Sequence, residues 1–393
     1  MPGATVPDGP EPDVPEPDVP EPGGLEPDGP EPDGTEPART VPGIDDVARL
    51  GRWLAEKGIA GNGGPPRVTL ILGGRSNLTY LVEGDVAGGD TWRLVLRRPP
   101  LGHVLPTAHD MGREYTVLTA LGTTDIPAPA VLALCDDPSV IGAPFYLMEH
   151  RAGRVLRSEE DGKQISPAQA QVLSEQFADM LAAIHSVDVP AAGLANFGRP
   201  DGYMERQFAR WQRQWELSAT REMPGYAELV GRLASGLPGT AGNPHPEGTL
   251  LHGDYRLDNM LVVLSERPQI TAVLDWEMST LGDPLADLGL ALVYWGDAGD
   301  TETLDLNVAA AITSGPGYLR REQLADRYAA RTGRDLSHLG YYMAFGCFKL
   351  AVVLEGIYAR FLQHQTVGEG FEREGLAVPS LIGRAHRLLD SLG

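Results

Sequence analysis

The chain has 393 residues, 42% of them hydrophobic and 7% aromatic, which is enough for two or three folded units around a real core. Its formal charge of −22 is unevenly divided: residues 1–42 hold eleven acids against the single base Arg39, and the body carries the remaining −12. An acidic body without Lys/Arg clusters excludes nucleic acid and anionic membrane surfaces as main partners, because both need concentrated positive charge.

In chain order, residues 1–42 repeat Glu-Pro-Asp with glycine, as in Pro15-Glu16-Pro17-Asp18-Val19-Pro20. Such a segment buries too little apolar surface to offset its ordering entropy, so a disordered acidic tail is expected, serving as a spacer or as an extended docking tail. It has neither a basic n-region nor an apolar stretch, and no export signal is expected. Order is expected to begin with a helix capped by Asp45, with Val47, Leu50, Trp53 and Leu54 at helical spacing. Apolar runs over 68–72, 78–82 and 92–96 read as strands. A helix over 108–121 and strands over 131–134 and 145–148 complete a small α+β unit, expected over 43–150. From 151 to 393 a mostly helical unit is expected, as over 167–185, where Leu173, Phe177, Met180, Leu181 and Ile184 share one face. His185, at the end of that helix, reads as a packed or capping histidine. One interruption stands out: runs over 260–264 and 270–274, joined by Ser265-Glu266-Arg267-Pro268-Gln269, read as a β-hairpin. The longest apolar segment, 342–354, is broken by Lys349, so no membrane span is expected. With only Cys135 and Cys347, a disulfide framework is excluded and a reducing cytoplasm is the expected compartment.

The chemistry gathers at the hairpin. Phosphoryl transfer requires a positioned nucleophilic hydroxyl, hard oxygen ligands for Mg²⁺ and neutralised phosphate charge. Asp254 and Asn259 stand five apart in the loop entering the hairpin, within His252-Gly253-Asp254-Tyr255-Arg256-Leu257-Asp258-Asn259, and Asp275 stands at its exit. A hairpin brings all three oxygen donors to one end, with Asp254 placed to accept the hydroxyl proton and Asn259 and Asp275 to hold the metal. An isolated His-Gly-Asp is more often a turn with a satisfied aspartate; the hairpin and Asp275 supply the context that makes it a motif. No Gly-x-x-x-x-Gly-Lys-Ser/Thr is present, which sets a P-loop enzyme aside.

In these residues the sequence resembles the aminoglycoside phosphotransferase family of kinase-fold enzymes, over roughly residues 44–365. His252-Gly253-Asp254 with Asn259 is similar to the family's catalytic loop, and Val273-Leu274-Asp275-Trp276 to its metal-binding strand end. The run continuing from there to Asp283-Pro284-Leu285-Ala286-Asp287-Leu288-Gly289 resembles a narrower group, the kinase-like domains found with certain acyl-CoA dehydrogenases. The resemblance implies an α+β bilobal protein-kinase-like fold, a small five-stranded N-lobe and a mainly helical C-lobe, with ATP and Mg²⁺ as cofactors. It places Gly73, Gly74, Ser76 and Asn77 in the nucleotide loop, although Gly-Gly between strands is also an ordinary hairpin turn. It places Arg97 where the family carries a strand-three lysine, with Glu114 on the next helix as its partner. Met148, Glu149 and His150 fall at the hinge that would meet adenine, Arg256 beside the transferred phosphoryl group, and His252 and Asp287 in support of the catalytic loop. Glu277 reads as a metal neighbour or, preferably, a surface acid.

Lys349 and Arg360, eleven residues apart, fall within about 20° on a helix starting near Gly340, with Gly346 and Gly356 flanking the stripe. The stripe either faces the acceptor and reads a carboxylate or phosphate, with the glycines admitting a ligand, or snorkels along an apolar helix. An acidic body suits a cationic acceptor, whereas the resemblance favours a hydroxyacyl-CoA or hydroxy acid. Three functions are therefore carried forward: a small-molecule kinase acting on a hydroxyl, an aminoglycoside or macrolide kinase, and a nucleotide-binding pseudokinase with a docking tail.

Overall fold

The computed structural model describes residues 41–60, 64–71, 77–85, 91–101, 110–238, 248–300, 308–364 and 371–392. The tail expected over 1–42 lies outside them except for Val41 and Pro42. Helix α1 (Val47–Glu56) starts one residue later than its sequence suggests, because Asp46 rather than Asp45 takes the extended cap conformation and accepts from the Arg49 amide at 2.9 Å.

Strands β1 (Arg67–Ile71), β2 (Leu78–Asp85) and β3 (Thr91–Arg98), helix α2 (Met111–Leu121), and strands β4 (Val131–Cys135) and β5 (Phe145–Glu149) build an antiparallel sheet in the order β1-β2-β3-β5-β4. Alternation decides which way each side chain looks. On one face Tyr80, Val82, Leu96, Phe145 and Leu147 bury against Leu50 and Leu54 of α1. On the other, Val95, Tyr146 and Met148 join the core that contains α2. Arg97 is two residues on from Val95, so β3 presents it on the α2 side.

Beyond β5 come helices α3 (Glu159–Lys163), α4 (Pro167–Ile184), α5 (Tyr203–Ser218) and α6 (Tyr226–Ser235). Helix α4 carries a capping box, Ser166 with Gln169, and proline in its first turn. Strands β6 (Thr249–Leu251), β7 (Met260–Val263), β8 (Gln269–Val273) and β9 (Thr280–Gly282) follow, then helices α7 (Pro284–Tyr294), α8 (Val308–Thr313), α9 (Arg321–Thr332), α10 (Leu339–Leu362) and α11 (Val378–Asp390). The expected β7–β8 hairpin is present, with Met260 opposite Val273, Val263 opposite Gln269 and a register shift between Leu261 and Val262. The β6–β9 ladder, Thr249 opposite Gly282, was not legible in strands of three residues. Its effect is large: two ribbons now clamp, from opposite ends, the loops 252–259 and 274–279.

Residues 41–393 form one unit. A continuous core runs across the expected lobe boundary, joining Val95 and Tyr146 to Leu173, Leu257 and Trp276, while a second cluster packs α5, α6, α10 and α11. Helix α10 is long and apolar enough to cross a membrane, but two-thirds of its most apolar window is buried inside the protein. Its glycines do not serve the ligand-approach role their spacing suggested. A Cβ on Gly346 would sit 3.2 Å from Leu290 Cα, and one on Gly289 of α7 would sit 2.7 Å from the Tyr342 backbone, so these residues permit close α7–α10 packing. Gly356 faces Ser218 of α5.

Candidate active site

Loop 252–259 is held from behind by Asp287, in the first turn of α7. Its Oδ2 accepts from the His252 amide at 2.7 Å and its Oδ1 from the Gly253 amide at 2.9 Å. Asp287 is buried, which favours its protonated form, but the hydrogen bond from His185 and its other partners outweigh burial and hold its carboxyl below the ordinary range. His185 Nε2 lies 3.3 Å from Asp287 Oδ2, and its Nδ1 lies 2.7 Å from the Tyr328 hydroxyl. Burial pushes the His185 pKa down, so the neutral ring donates from Nε2 to Asp287 and accepts at Nδ1 from Tyr328. Gly253 has φ +85°, and a Cβ there would stand 2.4 Å from the Met278 carbonyl oxygen, so this backbone path requires glycine. The His252 imidazole reaches the other loop, with Nε2 2.8 Å from the Leu274 carbonyl oxygen.

Asp254 and Asn259 meet directly: Asn259 Nδ2 donates to the Asp254 backbone carbonyl at 2.9 Å and to its Oδ2 at 3.0 Å. The Leu274 amide in turn donates to the Asn259 carbonyl at 2.8 Å, tying Asn259 to the residue before Asp275. Arg256 Nε lies 3.4 Å from Asp254 Oδ2 and 3.2 Å from Asp258 Oδ1, with its guanidinium 5.3 Å from the centre of the Tyr294 ring. The Tyr294 hydroxyl lies against Asp254, and burial raises its pKa. Asp275 takes the left-handed conformation at φ 67°, an uncommon choice for a residue with a side chain and one that clusters at functional sites.

Across from this hairpin, Arg97 is a hub. Its Nε lies 3.0 Å from Glu114 Oε2, and its Nη2 contacts Asp275 Oδ1 and lies 3.6 Å from Glu277 Oε2. Burial works against its charge, but Glu114 and then Asp275 outweigh it and raise the Arg97 pKa. Glu114 is 1% exposed; burial raises its pKa against the pull of Arg97, and its Oε1 accepts from the Trp276 amide at 3.2 Å. Glu277 corrects the surface-acid reading: it is 18% exposed and turned inward, accepting from Asn77 Nδ2 at 2.7 Å. This orientation was not legible beforehand, because Glu277 follows Asp275 by two residues in a 3-10 turn, Trp276–Met278, rather than along a strand.

Asn77 thus borders the site, whereas Gly73, Gly74 and Ser76 lie outside the described residues. At the end of β5, Met148 pairs with Val95 and Glu149 with Leu94. The Glu149 amide already donates to the Ala130 carbonyl at 2.8 Å, its carboxylate accepts from the Ala130 amide, and His150 is exposed. Lys349 reaches loop 252–259, where its Nζ donates to the Gly253 carbonyl at 2.9 Å. Arg360 is not brought there: it is exposed, about 16 Å farther along α10 at 1.5 Å per residue. Angular proximity on a helix does not shorten axial separation. Tyr294, His185 with Tyr328, and Trp211, whose ring lies 5.5 Å from Lys349 Nζ, enter the site or its supports with no motif to announce them.

Residues 67–324 match the model of the phosphotransferase enzyme family. Mouse acyl-CoA dehydrogenase family member 10 is 33% identical over 337 residues, covering 83% of this chain and 30% of that protein. The chain therefore spans less than a third of that relative's length. A solved Ralstonia eutropha protein, provisionally named an aminoglycoside phosphotransferase, is 31% identical with a TM-score of 0.72, covering 88% of this chain and 98% of the other. An aminoglycoside phosphotransferase solved with AMP-PNP and hygromycin B shares the fold, with 16% identity and a TM-score of 0.54 over 87% of this chain and 98% of that one.

Proposed function

The chain belongs to the phosphotransferase enzyme family, and from that premise we propose that it transfers the γ-phosphoryl group of ATP to a hydroxyl of a small molecule. The observation that carries the proposal is the convergence of Asp254, Asn259 and Asp275: Asn259 bonds Asp254 on one side and the backbone of Leu274 on the other. Asp254 takes the acceptor proton as the oxygen attacks phosphorus. Arg256, fixed between two aspartates, faces the charge that builds on the transferred group.

The donor set fits Mg²⁺. Asp275 and Asn259 offer two hard oxygens at the hairpin's end, and Arg97 on Asp275 shows that this carboxylate sits where positive charge is stabilised. Two protein oxygens suffice when nucleotide phosphates complete the shell. A bound Mg²⁺ would neutralise phosphate charge. Arg97, held by Glu114, contacts the phosphates, with Asn77 beside it at the edge of the site. Adenine then lies against the segment Met148, Glu149 and His150, at the division between lobes near residue 150. The Glu149 amide, spent on Ala130, is not among the groups left to adenine. His252 and Asp287 hold the loop that carries Asp254.

For the acceptor, the names of relatives such as the mouse acyl-CoA dehydrogenase family member support a hydroxyacyl thioester or hydroxy acid. The second reading, an aminoglycoside acceptor, draws on the Ralstonia eutropha neighbour and on the acidic body. Mg²⁺-dependent ATP consumption against hydroxyacyl-CoAs, hydroxy acids, amino alcohols and aminoglycosides separates them, with Asp254→Asn as control. Turnover on a thioester or hydroxy acid alone supports the first reading, and turnover on aminoglycosides the second. Equal activity of Asp254→Asn and wild type would remove the mechanism.

A further inference from the structure

Helix α10 is apolar over most of its 24 residues, yet Lys349 stands at its eleventh position. An ammonium in such a setting is costly unless the protein uses it. Its Nζ donates to the Gly253 carbonyl at 2.9 Å and lies 5.5 Å from the centre of the Trp211 ring on α5. The charged groups that face it are Asp254 in the loop, Asp287 on α7 and Arg210 on α5. Among the described residues its hydrogen bond goes to a backbone carbonyl rather than a carboxylate.

That carbonyl belongs to the peptide whose nitrogen is the amide of Asp254. Asp287 grips the amides of His252 and Gly253, and Lys349 grips the carbonyl of Gly253, at a residue already confined to φ +85°. The two anchors come from different helices, and together they fix the plane of the peptide leading into Asp254. We propose that Lys349 is a positioning residue for phosphoryl transfer, its ammonium orienting the Gly253–Asp254 peptide and so aiming the Asp254 carboxylate at the acceptor hydroxyl. This rests on the reading of Asp254 as proton acceptor. Geometry of this kind is worth about a hundredfold in rate per ångström of misplacement.

Burial holds the Lys349 pKa below the ordinary lysine value, while Asp254 and Asp287 work to raise it. Its charge is therefore lost on the alkaline side at lower pH than for an exposed lysine. Arginine would stay charged throughout.

The experiment measures Mg²⁺-dependent ADP release by the full chain from about pH 6 to about pH 10, with the acceptor that supports turnover in the panel, or with water where none does. Lys349→Met should lower kcat about a hundredfold while leaving the KM for ATP within about threefold. Lys349→Arg should restore most of kcat and abolish the alkaline fall expected of wild type. An effect of Lys349→Met confined to the acceptor KM would overturn the proposal in favour of direct acceptor contact, and wild-type kcat and pH profile in both variants would overturn it outright. Should Lys349→Met fail to fold, the alkaline limb of Lys349→Arg decides alone. Activity in Asp254→Asn would sink the underlying reading; an inactive Asp254→Asn beside wild-type-like Lys349 variants would sink this one only.

Discussion

Arg97 of β3 and Glu114 of α2 meet with Nε 3.0 Å from Oε2, and at 11% and 1% exposure this is an ion pair in the core. Such a pair is weak evidence for stability by itself, because desolvation opposes the attraction, but removing one partner strands the other.

Arg97→Met is accordingly expected to destabilise the protein by about 3–5 kcal/mol in urea unfolding, since Glu114 keeps a buried charge with its main counter-ion gone. The double variant Arg97→Met/Glu114→Leu should recover most of that loss. Equal stability of the single variant and wild type would show that Glu114 is already neutral in the fold.

Arg97→Lys tests a different property. A lysine keeps the charge but loses the fork that reaches Glu114, Asp275 and Glu277 together. The expected result is a raised KM for ATP, with a smaller change in kcat, measured at saturating Mg²⁺. Unchanged ATP affinity would remove Arg97 from the phosphate contacts.

Asp287→Asn replaces one carboxylate oxygen by an N–H group that must face an N–H of loop 252–259. Loss of one charge-assisted bond and the clash of donors should cost about 2–3 kcal/mol of stability. Turnover should fall while ATP binding, followed by calorimetry, persists, because the amides that Asp287 holds, those of His252 and Gly253, belong to the loop proposed to carry the proton acceptor and not to residues proposed for the nucleotide.

The His185 pKa is lowered from 6.5 by burial. Above that value both the folded and unfolded chains hold a neutral ring and the group contributes no pH dependence. As pH falls through 6.5 the unfolded chain takes up a proton that the folded chain resists, so stability is lost, by up to about 1.4 kcal/mol per pH unit from this one group. Urea midpoints of wild type and His185→Gln between neutral and mildly acid pH measure it: the variant should be less stable at pH 7 and show the shallower acid dependence. Parallel curves would assign the loss to other residues.

Gly253→Ala is expected to abolish turnover and to cost more than the roughly 1–2 kcal/mol of a left-handed backbone alone, since the new Cβ meets the Met278 carbonyl oxygen 2.4 Å away. Retention of activity would mean that the two loops can separate without harm to the site.

Much of the local structure follows from the sequence because its causes are local. Strand alternation puts Arg97 on the same face of β3 as Val95, Ser166, Pro167 and Gln169 start α4, and the spacing of Asp254, Asn259 and Asp275 about a hairpin brings three oxygen donors to one end. Tertiary structure decided what depends on residues distant in the chain. The three-residue strands β6 and β9 carry too little pattern to announce a ladder across thirty residues. Glu277 turns inward only because Arg97 and Asn77, far earlier in the chain, stand opposite it. A helical wheel put Lys349 and Arg360 together; packing separated them, because a wheel discards the axial rise that leaves Arg360 exposed while Lys349 meets Gly253.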